Sequence, residues 1–457
     1  MTKGKVYLIG AGPGDPGLLT CRAKQLLSTC DVVCYDKLVS AAILSIIPEH
    51  VQLHQVGYRG YQGIHIEYGM HPDVTEFALA GKRVARLKAG DPCIFGRTTE
   101  ECRDLKQHDI PYEIIPGITA ALGAASYSGF PLTSGGIASS VTFVSGHKNT
   151  ETLASWSRLG QAGGTLVLYM GAKKLAQHTQ NLIENGRSSH TPIAIICSAT
   201  SADHQCITGT LGTIAEKVDH STLKGPALVI VGEVVAQAEE LNWRNSLPLT
   251  GVRMLVCGQY EETAYLRDKG AEVIAIENTR VSSLIDQENL DYLATAPELA
   301  FGDLPSFNLW WNAVQEHHWD IRKFAMPLGS NNRFVRMALK NIGIQAEKVS
   351  DNALTLTVNE EKAFGEKNRY YLVGRVNSDP LSYTIPMVDW LLVEDIAVLK
   401  SIISHHSIAL ESAQLVPLNE EVRQWAIQHG YLLDNIDYPE FVDMSDVLCS
   451  RERADVA

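Results

Sequence analysis

The sequence predicts an α/β protein of at least two domains built on largely parallel sheets. Two observations carry that expectation. Short β-branched apolar runs alternate with helical spacing from the first strand onward, as in sheets buried on both faces by crossover helices. The chain also has 457 residues, more than the ~250–300 that one hydrophobic core sustains.

The first run, Val6–Gly10 (VYLIG), ends on glycine and reads as a buried parallel strand. Helical spacing follows over Leu18–Leu27, and Asp31–Tyr35 reads as a second strand. Further strands are expected at Val84–Leu87, Tyr112–Ile115, Ser140–Ser145, Thr165–Tyr169, Ile193–Cys197 and Ala227–Val231, with helices between most of them. Thr119–Ser128 is rich in Ala and Gly and nearly uncharged, which predicts a tightly packed helix or turn close to another backbone or a ligand. Asn245–Gly251 (NSLPLTG) has linker composition. The expected division is therefore a first domain at 1–244, in lobes of about 1–115 and 116–244, a linker at 245–251, and a second domain at 252–457.

Beyond the linker, a strand at Val252–Cys257, a helix at Glu261–Lys269 and a strand at Glu272–Ile276 open a new βαβ unit. A faint internal echo follows. A strand at Leu299–Phe301, a helix near Phe307–Val314, a strand near Phe324–Leu328 and a helix at Arg333–Ile342 form one set. Trp390–Val393, Ala397–Ser404, Ile408–Leu410 and Glu420–His429 repeat that order, so two similar α/β lobes are expected.

Apolar residues make up 45% and charged residues 20%, an ordinary globular balance, and the formal net charge is −13. That sign argues against a nucleic-acid partner and against anionic membrane surfaces, since both require clustered Lys and Arg. No apolar run reaches the ~18 residues of a membrane span. Nine cysteines are scattered without a CxxC pair, so no metal site is expected, and a reducing, cytoplasmic setting fits.

Four glycine-containing motifs follow strands: Gly10-Ala11-Gly12-Pro13-Gly14-Asp15-Pro16, Ala89-Gly90-Asp91-Pro92, Pro116-Gly117-Ile118-Thr119-Ala120 and Tyr169-Met170-Gly171. Glycine there permits positive φ or close approach, and ligands of open α/β sheets gather at strand C-termini. Pro13 interrupts the dinucleotide-binding pattern. Asp91 suits hydrogen bonding to a ligand hydroxyl or ammonium, and equally an Asx-turn.

With these motifs in order, residues 4–245 closely resemble uroporphyrinogen-III C-methyltransferases, through VYLIGAGPGDPGLLT, YDKLVS, RLKAGDPCIFGR, EIIPGITAA, SVTFVSGH, LVLYMGAKKL and LVIVGEVV. The resemblance implies a two-lobed methyltransferase, a homodimer, that uses S-adenosyl-L-methionine, releases S-adenosyl-L-homocysteine and methylates uroporphyrinogen III. Carried over by position, it implies cofactor contacts at Pro13, Ala89, Gly90, Asp91, Ile94, Thr119, Ala120, Met170 and Ala199. It implies a proton acceptor at Asp36 and places Tyr58 where the family has a Lys proton donor. Because the acceptor carries eight carboxylates, Arg59 and Arg97 beside motif glycines are the substrate-binding candidates. Departures fall on the acceptor side: Tyr58 itself, Thr98-Thr99 for a Gly pair and Ser134-Gly135 for His-Arg; Ala89 and Ala199 replace glycines.

Residues 251–445 resemble uroporphyrinogen-III synthases more loosely, implying two α/β lobes joined by two strands, with the Phe-Thr-Ser turn changed to Phe301-Gly302-Asp303. Two other readings fit the sequence: a methyltransferase acting later in the corrin pathway, and a tetrapyrrole-binding protein without turnover.

Overall fold

The structure is a computed structural model that describes residues 3–57, 69–146, 156–161, 163–219, 221, 223–257, 263–276, 279–346, 349–350, 352–366, 369–378, 381–393, 396–418 and 420–431. By packing, the chain forms two units. The first takes residues up to Ile276 together with Ser382–Trp390, and the second takes Glu277–Leu381 and the segment from Leu391 on. The α/β class expected from the sequence is present in both.

The first unit opens with strands β1 (Val6–Gly10), β2 (Val32–Asp36), β3 (Gln52–Val56), β4 (Val84–Lys88) and β5 (Tyr112–Ile115), in the order β3-β2-β4-β1-β5. All of its pairs are parallel. Strands β1, β2 and β4 are buried along their whole length, as the apolar runs require. Successive side chains go to opposite faces. Ile9, Val33, Tyr35 and Leu87 enter one core, while Val6, Leu8, Val32, Cys34 and Val84 enter the other with Cys102 and Leu105 of helix Thr98–Gln107.

The second sheet contains β6 (Val141–Ser145), β7 (Thr165–Tyr169), β8 (Pro192–Cys197), β9 (Gln205–Thr210) and β10 (Ala227–Val231), in the order β6-β7-β10-β8-β9. Here the expectation of largely parallel pairing is corrected, because only β6 and β7 are parallel. The cause is β10, which inserts between β7 and β8 and runs antiparallel to both, while β8 and β9 close a hairpin. Helix Ala120–Tyr127 carries the Ala/Gly-rich segment and packs Ala121, Ala124 and Ala125 on this sheet. A further parallel pair, β11 (Arg253–Cys257) and β12 (Glu272–Ile276), completes the unit.

In the second unit, β13 (Thr279–Ser283) pairs antiparallel with β18 (Gly374–Ser378). Strands β14 (Leu299–Phe301), β15 (Leu328–Gly329), β16 (Leu354–Thr357) and β17 (Tyr370–Leu372) form a parallel sheet in the order β15-β14-β16-β17. Its core surrounds Trp310, with Phe301 and Phe324 at ring-centroid distances of 5.1 and 5.0 Å. The strand expected at Ile408–Leu410 is instead part of a 3-10 turn, Ser407–Leu410, and the strand lies at Gln414–Pro417. A run of three apolar residues fits either state.

Candidate functional site

Three strand tips of the first sheet cross at glycines. A Cβ on Gly10 would meet the Gly117 nitrogen at 2.6 Å and the Gly90 carbonyl at 2.7 Å, and one on Gly117 would meet the Gly90 carbonyl at 2.4 Å. No side chain fits at either position, so these glycines serve the approach of backbone to backbone. The loops are then stitched together. Gly12 and Gly90 exchange both backbone hydrogen bonds, at 3.1 and 2.7 Å. The Asp91 carboxylate accepts from the Cys93 amide at 2.8 Å and from the Gly117 amide at 2.9 Å, so it is an Asx-turn and also a tie between two loops. Ser40, in the YDKLVS motif, donates to the Gly14 carbonyl at 2.6 Å and caps the helix after it.

The second sheet supplies the facing wall. Pro13 packs so close to helix Ala120–Tyr127 that a Cβ on Gly123 would meet its ring at 2.5 Å. The Tyr169 hydroxyl lies 2.6 Å from Thr119 Oγ1 and accepts from the Ala121 amide at 3.2 Å, which ties β7 to the start of that helix. Burial pushes the Tyr169 phenol above its ordinary value, and the Thr119 and Ala121 hydrogen bonds oppose that. The Phe95 ring lies 4.9 Å from that of Tyr169. Phe95, Arg97, Met170, Ser198 and Thr200 have φ between 45° and 72°. Such left-handed non-glycine residues cost energy and concentrate at functional loops. All five follow β4, β7 or β8, on the same side of the two sheets as the glycine crossing.

A family model for Tetrapyrrole (Corrin/Porphyrin) Methylases matches residues 5–215. Residues 5–215 are a tetrapyrrole methylase domain. The chain is 46% identical over 244 residues to a siroheme synthase of Pseudomonas fluorescens (strain Pf0-1), covering 53% of each. It is 43% identical over 244 residues to a siroheme synthase of Nitrosomonas europaea, covering 53% of this chain and 51% of that one. The chain thus spans about half the length of these relatives. Among solved structures it is similar to uroporphyrin-III C-methyl transferase from Thermus thermophilus complexed with S-adenyl homocysteine, at 36% identity. That match covers 51% of this chain and 93% of that one, with a TM-score of 0.44.

In the methylase domain, Pro13, Gly90, Asp91, Thr119 and Ala120 meet at the crossing, where a Cβ on Gly90 would lie 3.5 Å from the Ala120 nitrogen. Ala89 is exposed beside it, Ile94 packs half-buried on the second-sheet core, and Met170 is 52% exposed at the tip of β7. Ala199 precedes Thr200, whose hydroxyl lies 3.0 Å from where a Gly14 Cβ would be. Arg97 instead lines an open cleft of 440 Å³ with Phe95, Tyr112 and Ile114, and no residue of the glycine crossing lines that cleft. Tyr58 and Arg59 lie outside the described residues.

Asp36 is where sequence reasoning saw least of the local chemistry. It ends β2 on the same face as Arg86 and Lys88 of β4, and its carboxylate accepts from Arg86 Nη2 at 2.5 Å. Arg86 is 1% exposed and also reaches Glu101 of helix Thr98–Gln107 at 3.4 Å; Lys88 Nζ donates to Glu101 at 2.6 Å. Two carboxylates and two cations thus balance in a buried cluster. Burial pushes the Arg86 guanidinium down, but Asp36 and Glu101 outweigh it and the net direction is up. For Lys88, burial wins over the pull of Glu101 and the ammonium is pushed down. The signal was in the sequence: two basic residues two apart in an otherwise apolar strand share one face and need acidic partners.

Proposed function

We propose that the methylase domain transfers methyl groups from S-adenosyl-L-methionine to C2 and C7 of uroporphyrinogen III, giving precorrin-2 for sirohaem or cobalamin synthesis. The observation that carries this reading is the meeting of three motif loops at the Gly10–Gly90–Gly117 crossing, with the fourth tied to them through Tyr169 and Thr119, in a domain that also holds a buried Asp36–Arg86 pair. The donor set fits the cofactor. Thr200 Oγ1 is buried beside Gly14 and Ala199 and has no hydrogen-bond partner among the described residues, so a polar ligand group has a waiting partner. Ala89, Gly90, Ala120 and Ala199 are the small residues that would face a nucleoside. Pro13, Ala89–Asp91 and Ile94 would hold it from the first sheet, and Thr119, Ala120, Met170 and Ala199 from the second. When bound, the cofactor supplies an electrophilic methyl on a sulfonium.

The protein's share of the chemistry is positioning and proton handling. Loops tied at backbone contact distance would hold a methyl donor against the acceptor carbon. A pyrrole carbon that gains a methyl leaves a cationic ring, and a proton must then depart from that ring. Asp36 accepts that proton or stabilises the cation, and Arg86 fixes its orientation. Arg97 and Arg59 pair with acceptor carboxylates, and Tyr58 donates a hydrogen bond in place of the family lysine. The domain works as a homodimer in the cytoplasm. The segment 252–457, divided from 1–244 at 245–251, is a divergent uroporphyrinogen-III synthase-like half.

The test is incubation of the full chain with uroporphyrinogen III and methyl-labelled S-adenosyl-L-methionine under reducing conditions. Two labels per macrocycle are expected, with Asp36→Asn slowing transfer while leaving cofactor affinity nearly unchanged. Absence of label in the macrocycle would remove the proposal.

A further inference from the structure

The loop between β8 and β9 carries Ala199 and Thr200, and it is held by residues from beyond the methylase domain. Glu272 of β12 accepts from the Ala202 amide at 2.8 Å. Arg253 of β11 donates through Nη2 to Asp203 at 2.6 Å and through Nε to Glu272 at 2.9 Å. The Arg253 side chain is 10% exposed and that of Glu272 8%. Burial pushes the guanidinium down, and Glu272 and Asp203 together reverse this to a net rise. Arg253 is held in turn: its backbone amide donates to Asp389 at 2.7 Å, and Nη1 donates to the Met387 carbonyl at 3.0 Å. Asp389 and Met387 come from the returning segment Ser382–Trp390. That same segment reaches the other side of the proposed site. The Tyr35 hydroxyl, one residue before Asp36, donates to the Ser382 carbonyl at 3.0 Å, and Tyr383 packs on the core that contains Tyr35.

We propose that Arg253 and Glu272 are positioning residues for methyl transfer: they fix the 198–203 loop, and so the Ala199–Thr200 wall of the cofactor cleft, from outside the methylase domain. This rests on the reading of that cleft given above. The loop needs such support on physical grounds. Ser198 and Thr200 both hold left-handed backbone, at φ 45° and 72°, which a free hairpin loop would relax. Charge-assisted hydrogen bonds at Ala202 and Asp203 over-determine it. The network also ties the methylase domain to the second half of the chain through three sequence-distant segments, 202–203, 253–272 and 387–389; its Arg253–Glu272 part is buried and weakly screened, while Asp203 is 39% exposed. None of the four charged groups touches the proposed reacting atoms, so their effect is on where the wall stands.

The test compares S-adenosyl-L-homocysteine binding by calorimetry, Michaelis constants and thermal unfolding in the full chain and in Glu272→Ala, Glu272→Gln and Asp203→Asn. For Glu272→Ala the affinity is expected to fall ~10-fold, as for one charge-assisted hydrogen bond lost from a positioned loop. The KM for S-adenosyl-L-methionine should rise with it, while the tetrapyrrole KM stays within twofold. Glu272→Gln keeps an acceptor for the Ala202 amide and should recover most of the affinity. Asp203→Asn breaks the ion pair without emptying space and should fall between the two, so it serves if the alanine variant does not fold. Lowered unfolding temperature with unchanged affinity in the folded variants would overturn the proposal and leave Arg253 and Glu272 as a structural clamp. Failure of the wild-type chain to bind S-adenosyl-L-homocysteine would instead count against the cleft itself.

Discussion

Arg86 is the residue whose environment is most exacting. It lies buried between two carboxylates, and removing it strands Asp36 while leaving Glu101 to Lys88 alone. Breaking such a pair from one side costs about 3–5 kcal/mol, because an uncompensated buried charge remains. Arg86→Met is therefore expected to lower unfolding free energy by about that amount in urea titration; a loss under ~1 kcal/mol would show the cluster to be well solvated. His204 provides a pH test. Burial first, and then the Arg244 charge, push its imidazole down from 6.5 to about 4. The unfolded chain therefore binds a proton at His204 below about pH 6.5 that the folded chain takes up only near 4. Stability contributed here is complete above that window and declines as pH falls through it. Wild type should lose more stability between pH 7 and pH 5 than His204→Gln, as read from urea midpoints; equal losses would contradict the burial. At this scale the sequence told less than it contained. Asp36 was legible through its motif, but its partners required the period-2 rule to be applied to Arg86 and Lys88 inside an apolar strand.

Among the elements, most of the legible strands were those buried on both faces, and β5 (YEII), a partly exposed edge strand, was legible as well. β1, β5, β7 and β10 have the bounds that their apolar runs suggested. The strands missed in the first unit, β3 (QLHQV) and β9 (QCITGT), are edge strands with mostly intermediate or exposed side chains, so they carry neither a continuous apolar run nor clean alternation; in the second unit β13, β16, β17 and β18 were missed as well. The glycine motifs were legible as close approaches, but their partner was not: Gly10 and Gly117 meet another backbone, which no local pattern encodes. One consequence concerns the helix Ala120–Tyr127. Its start is fixed by the Tyr169 hydroxyl, which serves both Thr119 and the Ala121 amide. Tyr169→Phe leaves those groups unpaired and should cost ~1–3 kcal/mol. If the helix start frames the cofactor cleft, S-adenosyl-L-homocysteine affinity falls as well; preserved affinity would show that the helix start lies apart from it.

For the whole molecule, the division by packing does not follow the order of the chain. Strands β11 and β12 and the segment Ser382–Trp390 belong to the first unit, which otherwise consists of the methylase domain and its extension. That exchange arises from contacts such as Arg253–Asp389, 136 residues apart in sequence, which lie beyond the reach of local patterning. A chain ended at residue 244 would lack Arg253, Glu272 and Tyr383, and its Asp203 and Tyr35 would lose their partners. Its unfolding temperature is expected to lie on the order of 10 °C below that of the full chain, given the few kcal/mol involved; equal unfolding temperatures would show that the added strands bear no load. Among the described residues no helix is long and apolar enough to cross a membrane, and no cluster of His, Cys, Asp and Glu is arranged to hold a metal ion.

The central claim is that loops crossing at Gly10, Gly90 and Gly117 hold a methyl donor against the second-sheet wall. A crystal structure of the full chain with S-adenosyl-L-homocysteine tests it most directly. The expected result is density for the nucleoside between the Ala89–Asp91 loop and Thr119, Met170 and Thr200, with the Thr200 hydroxyl hydrogen-bonded to it. Density elsewhere on the chain, with Thr200 Oγ1 still unpaired, would contradict the account.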